Sequence, residues 1–168
     1  MGQTKAISLR QPKVVVRTGL AADLATVQLF NIFGITGGPV LIEAIIGRSR
    51  AAVEGATTQT LEGGFTPTSG VGRGIWAVAS ANTVTITDED FILTWSGVIP
   101  AAILVGQTGA VDGFGAVGSV LAGTSGAKNI FVPGIIDITT AGDTDNSGLI
   151  DWTVIYHPLL TTSVVTAL

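Results

Sequence analysis

The segment that most constrains the fold is Gly148-Leu149-Ile150-Asp151-Trp152-Thr153-Val154-Ile155-Tyr156-His157-Pro158-Leu159. Side chains of an extended strand alternate between faces, so Ile150, Trp152, Val154 and Tyr156 share one side while Asp151, Thr153 and His157 share the other. Pro158 ends the ladder because it has no backbone donor. The stretch holds one of three Trp and the only Tyr and His, so its aromatic mass points to packing rather than to chemistry. Phe30, Leu41, Trp152 and Tyr156 are the expected core residues.

The same texture continues along the chain. Val14–Val16 reads as a short strand. Val27–Phe33 is apolar on both faces, Val40–Ile46 is a second apolar strand closed by Gly47, and Gly37-Gly38-Pro39 between them is a turn signal, so residues 27–47 read as a hairpin. Residues 55–74, punctuated by Gly63-Gly64, Pro67 and the glycines from Gly70 to Gly74, read as a long loop or weak edge region. Further strands are expected at 75–78, 83–87, 91–95, 129–132, 135–139 and 149–157, with Asp88-Glu89-Asp90 as a charged turn. A helix of two or three turns is expected within Leu20–Leu29. Strands recurring this often, with no long amphipathic helix between them, predict an all-β single domain: a β-sandwich, jelly-roll-like, or a β-barrel.

Composition narrows the function. Of 168 residues, 46% are hydrophobic and only 12% charged, about half the charge of an ordinary globular domain. Mean hydropathy is +0.58. A surface this poor in charge predicts extensive contact between subunits, hence a homo-oligomer. There is no Cys for disulfides or thiolate metal sites, and the start of the chain lacks the layout of a cleaved secretion signal. Residues 97–123 carry a single charge, Asp112, but Pro100 and seven glycines interrupt them, so no membrane span is expected.

Charge is unevenly placed. Lys5, Arg10, Lys13 and Arg17 give residues 1–20 a net +4, while the remainder, with four basic and twelve acidic residues, carries −8. An extended basic arm over 1–20 and a β-domain over 21–168 follow, the arm's four cations docking onto something acidic, such as a neighbouring subunit. Four spaced charges are too few for nucleic acid, which calls for a clustered basic stripe.

Three motifs suggest chemistry. Asp143, Asp145, Ser147 and Asp151, with Gly148 between, resemble an EF-hand calcium loop at positions 1, 3, 5, 9 and 6. Val154 stands where the bidentate Glu belongs and a strand follows, so the segment reads as a polar turn, with no metal or other cofactor expected. Gly113-Phe114-Gly115-Ala116-Val117-Gly118 satisfies G-x-G-x-x-G without the strand–helix context that a dinucleotide requires. The single His lies at a strand end beside Pro158, where a surface residue is expected, and no reactive set converges with it. No enzyme is predicted.

Leu29-Phe30-Asn31-Ile32-Phe33-Gly34-Ile35-Thr36-Gly37-Gly38-Pro39-Val40-Leu41-Ile42, followed by Ile45-Ile46-Gly47, resembles a hairpin of tailed-bacteriophage virion structural proteins. The end of the chain, with Trp152, Tyr156, Pro158 and Leu159 in a Trp-x-x-x-Tyr-x-Pro-Leu pattern, resembles their last strand. This chain departs from the hairpin pattern by inserting Phe33-Gly34. The resemblance implies a small β-rich virion component, some of whose relatives are head decoration or cement proteins, and it implies no catalytic residues. The role the resemblance implies is decoration of a capsid surface by binding the major capsid protein as a symmetric oligomer, a trimer by the threefold attachment sites common on such shells, with Lys5, Arg10, Lys13 and Arg17 docking on the capsid or on a neighbouring subunit. The alternative is a tail or baseplate module engaging a host-surface glycan, which would present aromatic rings in a groove.

Overall fold

The computed structural model describes residues 11–20, 29–51, 60–70, 72–77, 92–94, 104–105, 129–141 and 148–168. These form eleven strands: β1 Lys13–Arg17, β2 Leu29–Thr36, β3 Val40–Ala51, β4 Thr60–Pro67, β5 Gly74–Ala77, β6 Ile92–Thr94, β7 Leu104–Val105, β8 Asn129–Phe131, β9 Gly134–Ala141, β10 Leu149–Pro158 and β11 Val164–Ala167. One antiparallel sheet, here called A, runs β1-β10-β3-β6-β7, with β8 also paired to β3. The other, B, runs β11-β2-β9-β4-β5. Among the described residues the two sheets pack face to face, as in a β-sandwich.

Alternation places the core. On β10, Ile150, Trp152, Val154 and Tyr156 all point inward and are buried. Across from them stand Ile42 and Ile45 of β3 and, in sheet B, Phe30, Phe33, Ile35, Ile136 and Ile138. Two bulges on β3 set its phase. Tyr156 pairs with Ile42 and Ile155 with Ala44, so Glu43 is an extra residue; Ile150 pairs with Ser49 and Leu149 with Ala51, so Arg50 is another. Phe30, Trp152 and Tyr156 occupy the core as expected. Leu41 does not: the phase that buries Val40 and Ile42 turns it to the outer face, where it is half-buried.

Residues 27–47 are not a hairpin. β2 belongs to sheet B and β3 to sheet A, so Gly37-Gly38-Pro39 is an arch that carries the chain between sheets. Gly37 and Gly38 have φ of 72° and 147°, and a side chain at Gly37 would collide with the backbone oxygen of Thr162. Residues 159–163 form a second arch, from β10 to β11, and the two arches stack. Ser163 Oγ donates to Pro39 O (2.8 Å), Leu159 N donates to the same oxygen (3.2 Å), and Thr162 Oγ1 donates to Gly37 O.

Within the segment 55–74, residues 60–67 are not loop but β4, paired on both sides by β9 and β5. Gly63 and Gly64 are strand residues because side chains lie across them. A Cβ at Gly63 would fall 2.3 Å from the Trp76 ring, and one at Gly64 2.1 Å from the Arg73 guanidinium. The strands expected at 75–78, 91–95, 129–132, 135–139 and 149–157 correspond to β5, β6, β8, β9 and β10. The strand at 83–87, the helix within 20–29 and the glycine-rich run 106–126 fall wholly or mainly outside the described residues.

Candidate functional site

The two outer faces of the sandwich differ in chemistry. Sheet B is mixed outside: Asn31, Glu62, Thr66, Asp137 and Thr139 project from it beside the exposed Leu29, Ile75 and Val164. Its centre is an arginine clamp. Arg73, from the turn between β4 and β5, lies back over Gly64, and its Nε and Nη2 both donate to Asp137 Oδ1 (2.9 and 2.7 Å). Nη1 donates to Glu62 Oε1 (2.7 Å) and Nη2 also to Thr139 Oγ1 (2.9 Å). Asp137 is thereby 1% exposed although it sits on an outward position. The hydrogen bond to Asp137 raises the Arg73 pKa, burial opposes this, and the bond to Glu62 reinforces it. One guanidinium thus bridges two carboxylates, tying the turn before β5 to β4 and β9 and leaving the cluster a net −1.

Sheet A carries an apolar patch on its outer face. Val14 of β1, Ile155 of β10 and Ala44 of β3 form one row across the strands, and Val16, Thr153 and Ile46 form the next. His157, Leu41 and Ile130 of β8 make a third. Val14, Val16 and Ile130 are 60%, 54% and 62% exposed, and Ile155, Ala44, Ile46 and Leu41 are half-buried. A solvated sandwich face normally alternates to polar residues. Here apolar Val14, Val16, Ile155, Ile46 and Ile130 share the face with Asp151, Thr153, His157 and Arg48.

Charges frame that apolar face. At one end, Asp151 Oδ1 accepts from Arg50 Nε and from Gly19 N, both at 2.8 Å, and Arg50 Nη2 donates to Gly19 O (3.0 Å). Arg48 stands beside them on β3, opposite Asp151. At the other end, His157 Nε2 lies 2.8 Å from Glu43 Oε1. The histidine expected at the surface is thus mostly buried, covered because the bulge at Glu43 brings that carboxylate over it.

The structure separates the four expected docking cations. Lys5 and Arg10 lie outside the described residues. Lys13 is exposed on β1. Arg17 is not available for docking: it is buried, its Nε donates to Leu168 O (2.7 Å), and its guanidinium sits 5.7 Å from the Phe30 ring centroid. It ties the β1 edge of sheet A to the β11 edge of sheet B. Residues 13–17 therefore belong to the β-domain, and an arm ending at residue 20 is too long, because Val14–Val16 find a partner in β10. Asp143, Asp145 and Ser147 lie outside the described residues, and Asp151 is committed to Arg50 and Gly19. Among the described residues no group of His, Asp and Glu could hold a metal ion.

Nothing local marks the outer patch of sheet A in the sequence. Ile155, Ile46 and Ala44 are apolar at outward positions, a pattern that a strand buried on both faces shares. No protein-family model matches the chain, and no curated protein matches it.

Proposed function

We propose that this chain is a structural component of a phage virion, decorating and stabilising the capsid shell by binding the major capsid protein and its own copies as a symmetric oligomer. The observation that carries this reading is the apolar outer face of sheet A, centred on Val14, Val16, Ile155 and Ile46. An apolar sheet face in water is a contact surface awaiting a partner. The charged groups near it are largely matched within the fold, as in Arg50–Asp151 and His157–Glu43. The resemblance of residues 29–47 and 148–159 to virion structural proteins supports the same conclusion. The mechanism is mechanical: each copy buries apolar area at about 25 cal/mol per Å², and repetition over a shell turns modest contacts into avidity.

The glycan-binding alternative asks for exposed aromatic rings. Trp76, Trp152 and Tyr156 are all buried, so the described residues do not favour it.

The test is particle stability. Virions lacking the protein should release DNA at lower temperature and under milder osmotic shock, and adding the purified chain should reverse the loss. Exchanging Lys5, Arg10 and Lys13 for Glu should lower occupancy on the particle, less so as salt rises, because exposed charges are screened over about 8 Å at 0.15 M. Arg17 is left unchanged in that variant because it is part of the fold. Unaltered particle stability without the protein would overturn the proposal.

A further inference from the structure

We infer that β1 is a strap that opens separately from the rest of the sandwich, latched at Gly19 by Asp151 and Arg50, and that it covers a strand-accepting edge on β10. This goes beyond the virion reading and does not depend on it.

Little apolar burial holds the strap. Among the described residues β1 pairs with β10 alone, over five positions from Lys13–Tyr156 to Arg17–Trp152. Val14 and Val16 are exposed, and Val15 is the valine that packs against the core, only partly buried. The neighbouring β10–β3 ladder runs over ten pairs and carries Trp152, Tyr156, Ile42 and Ile45 inside. A segment with few buried apolar contacts opens at lower free energy than the core it rests on.

What fixes β1 is polar and gathered at one end. Arg17 Nε donates to Leu168 O, and the guanidinium lies over the Phe30 ring. Two residues on, Gly19 N donates to Asp151 Oδ1 and Gly19 O accepts from Arg50 Nη2, while Arg50 Nε donates to the same Asp151 oxygen. The chain leaving β1 is thus tied to both β10 and β3. The latch needs a glycine, because a Cβ on Gly19 would stand 2.3 Å from Ile150 O. At the opposite end Lys13 and Val14 are exposed.

Lifting β1 uncovers the backbone edge of β10 from Trp152 to Tyr156. Main-chain donors and acceptors in such an edge pair with an added extended strand. The seat is cut for β1: core packing for Val15, Leu168 O and Phe30 for Arg17, and Asp151 for the Gly19 backbone. The strand that fits it from outside is therefore the β1 of a second copy.

Limited trypsin digestion of the full chain tests the strap, because cleavage after Arg17 requires that side chain to leave Leu168 and enter the protease. Such cleavage follows the population of the open form. In the wild type, Arg17–Thr18 should be cut about tenfold or more faster than Arg48–Ser49, which lies within β3. Ile136→Val, in the core on β9, should speed the Arg48–Ser49 cut about fivefold and leave the Arg17–Thr18 cut unchanged, since the opened strap keeps that core. Asp151→Ala should speed the Arg17–Thr18 cut about tenfold by removing a charged acceptor. Gly19→Ala should do the same by collision. It leaves the seat intact, so a fluorescent peptide of residues 11–20 should bind that variant about tenfold tighter than the wild type, as read by anisotropy. Equal wild-type rates at the two bonds would overturn the inference, as would Ile136→Val speeding both alike. So would an Arg17–Thr18 rate that neither latch variant raises, or a peptide that binds Gly19→Ala no tighter than the wild type.

Discussion

Gly63→Ala should be among the most damaging small substitutions in the protein, although sequence alone places it in a loop. Gly63 sits in β4 opposite Ala77, and the added methyl carbon would stand 2.3 Å from Trp76 Cε2 and 2.4 Å from Cζ2. The indole cannot slide aside freely. It is buried, and its Nε1 donates to Gly64 O at 2.8 Å. Overpacking costs about 1–3 kcal/mol, and breaking that buried hydrogen bond about 1–3 more. The entropy that Ala removes from the unfolded chain offsets only about 0.4–1 kcal/mol. A net loss of about 2–4 kcal/mol is expected. Urea unfolding followed by Trp fluorescence would show it as a lower midpoint at unchanged slope. Gly72→Ala is the control, since nothing lies within 4 Å of its missing Cβ; it should be neutral or slightly stabilising. If both substitutions shifted the midpoint alike, the packing of Trp76 on β4 would be refuted.

Trp152→Ala should cost about 3–5 kcal/mol in the same assay, whereas Leu41→Ala, half-buried on the outer face, should cost about 1 kcal/mol. Equal losses would contradict the phase of β3. Tyr156→Phe should cost about 1 kcal/mol, because the buried Val165 N–H donates to its hydroxyl (3.3 Å) across the sheets. A stabilised variant would show that contact to be idle. Millimolar calcium should leave the melting temperature unchanged; a rise of several degrees, abolished by Asp145→Ala, would restore the loop as a metal site.

What the sequence discloses follows from which interactions are local. The strand periods of β1, β5, β9 and β10 are written in the residues themselves, and with them the all-β class and the inward set from Ile150 to Tyr156. Sheet membership is not local. Gly37-Gly38-Pro39 looks the same whether the flanking strands pair with each other or, as here, with β9 and β10 in different sheets. The role of Gly63-Gly64 depends on Trp76 and Arg73 lying over them, ten or more residues away in the case of Trp76. Leu41 and Ile42 are indistinguishable until the pairing with β10 sets the phase and the bulge at Glu43 shifts it. Of the contact surfaces, the basic character of Lys13 was legible. The burial of Arg17 was not, because its partners, Phe30 and Leu168, are remote in sequence.

The central claim is a place in a particle, so the most direct measurement is an image of the virion. Cryo-electron microscopy of intact particles, compared with particles lacking this chain, would locate the sandwich by difference. Copies tiled regularly over the capsid surface are the expected result. Copies confined to the tail tip, or no difference on the particle at all, would contradict it.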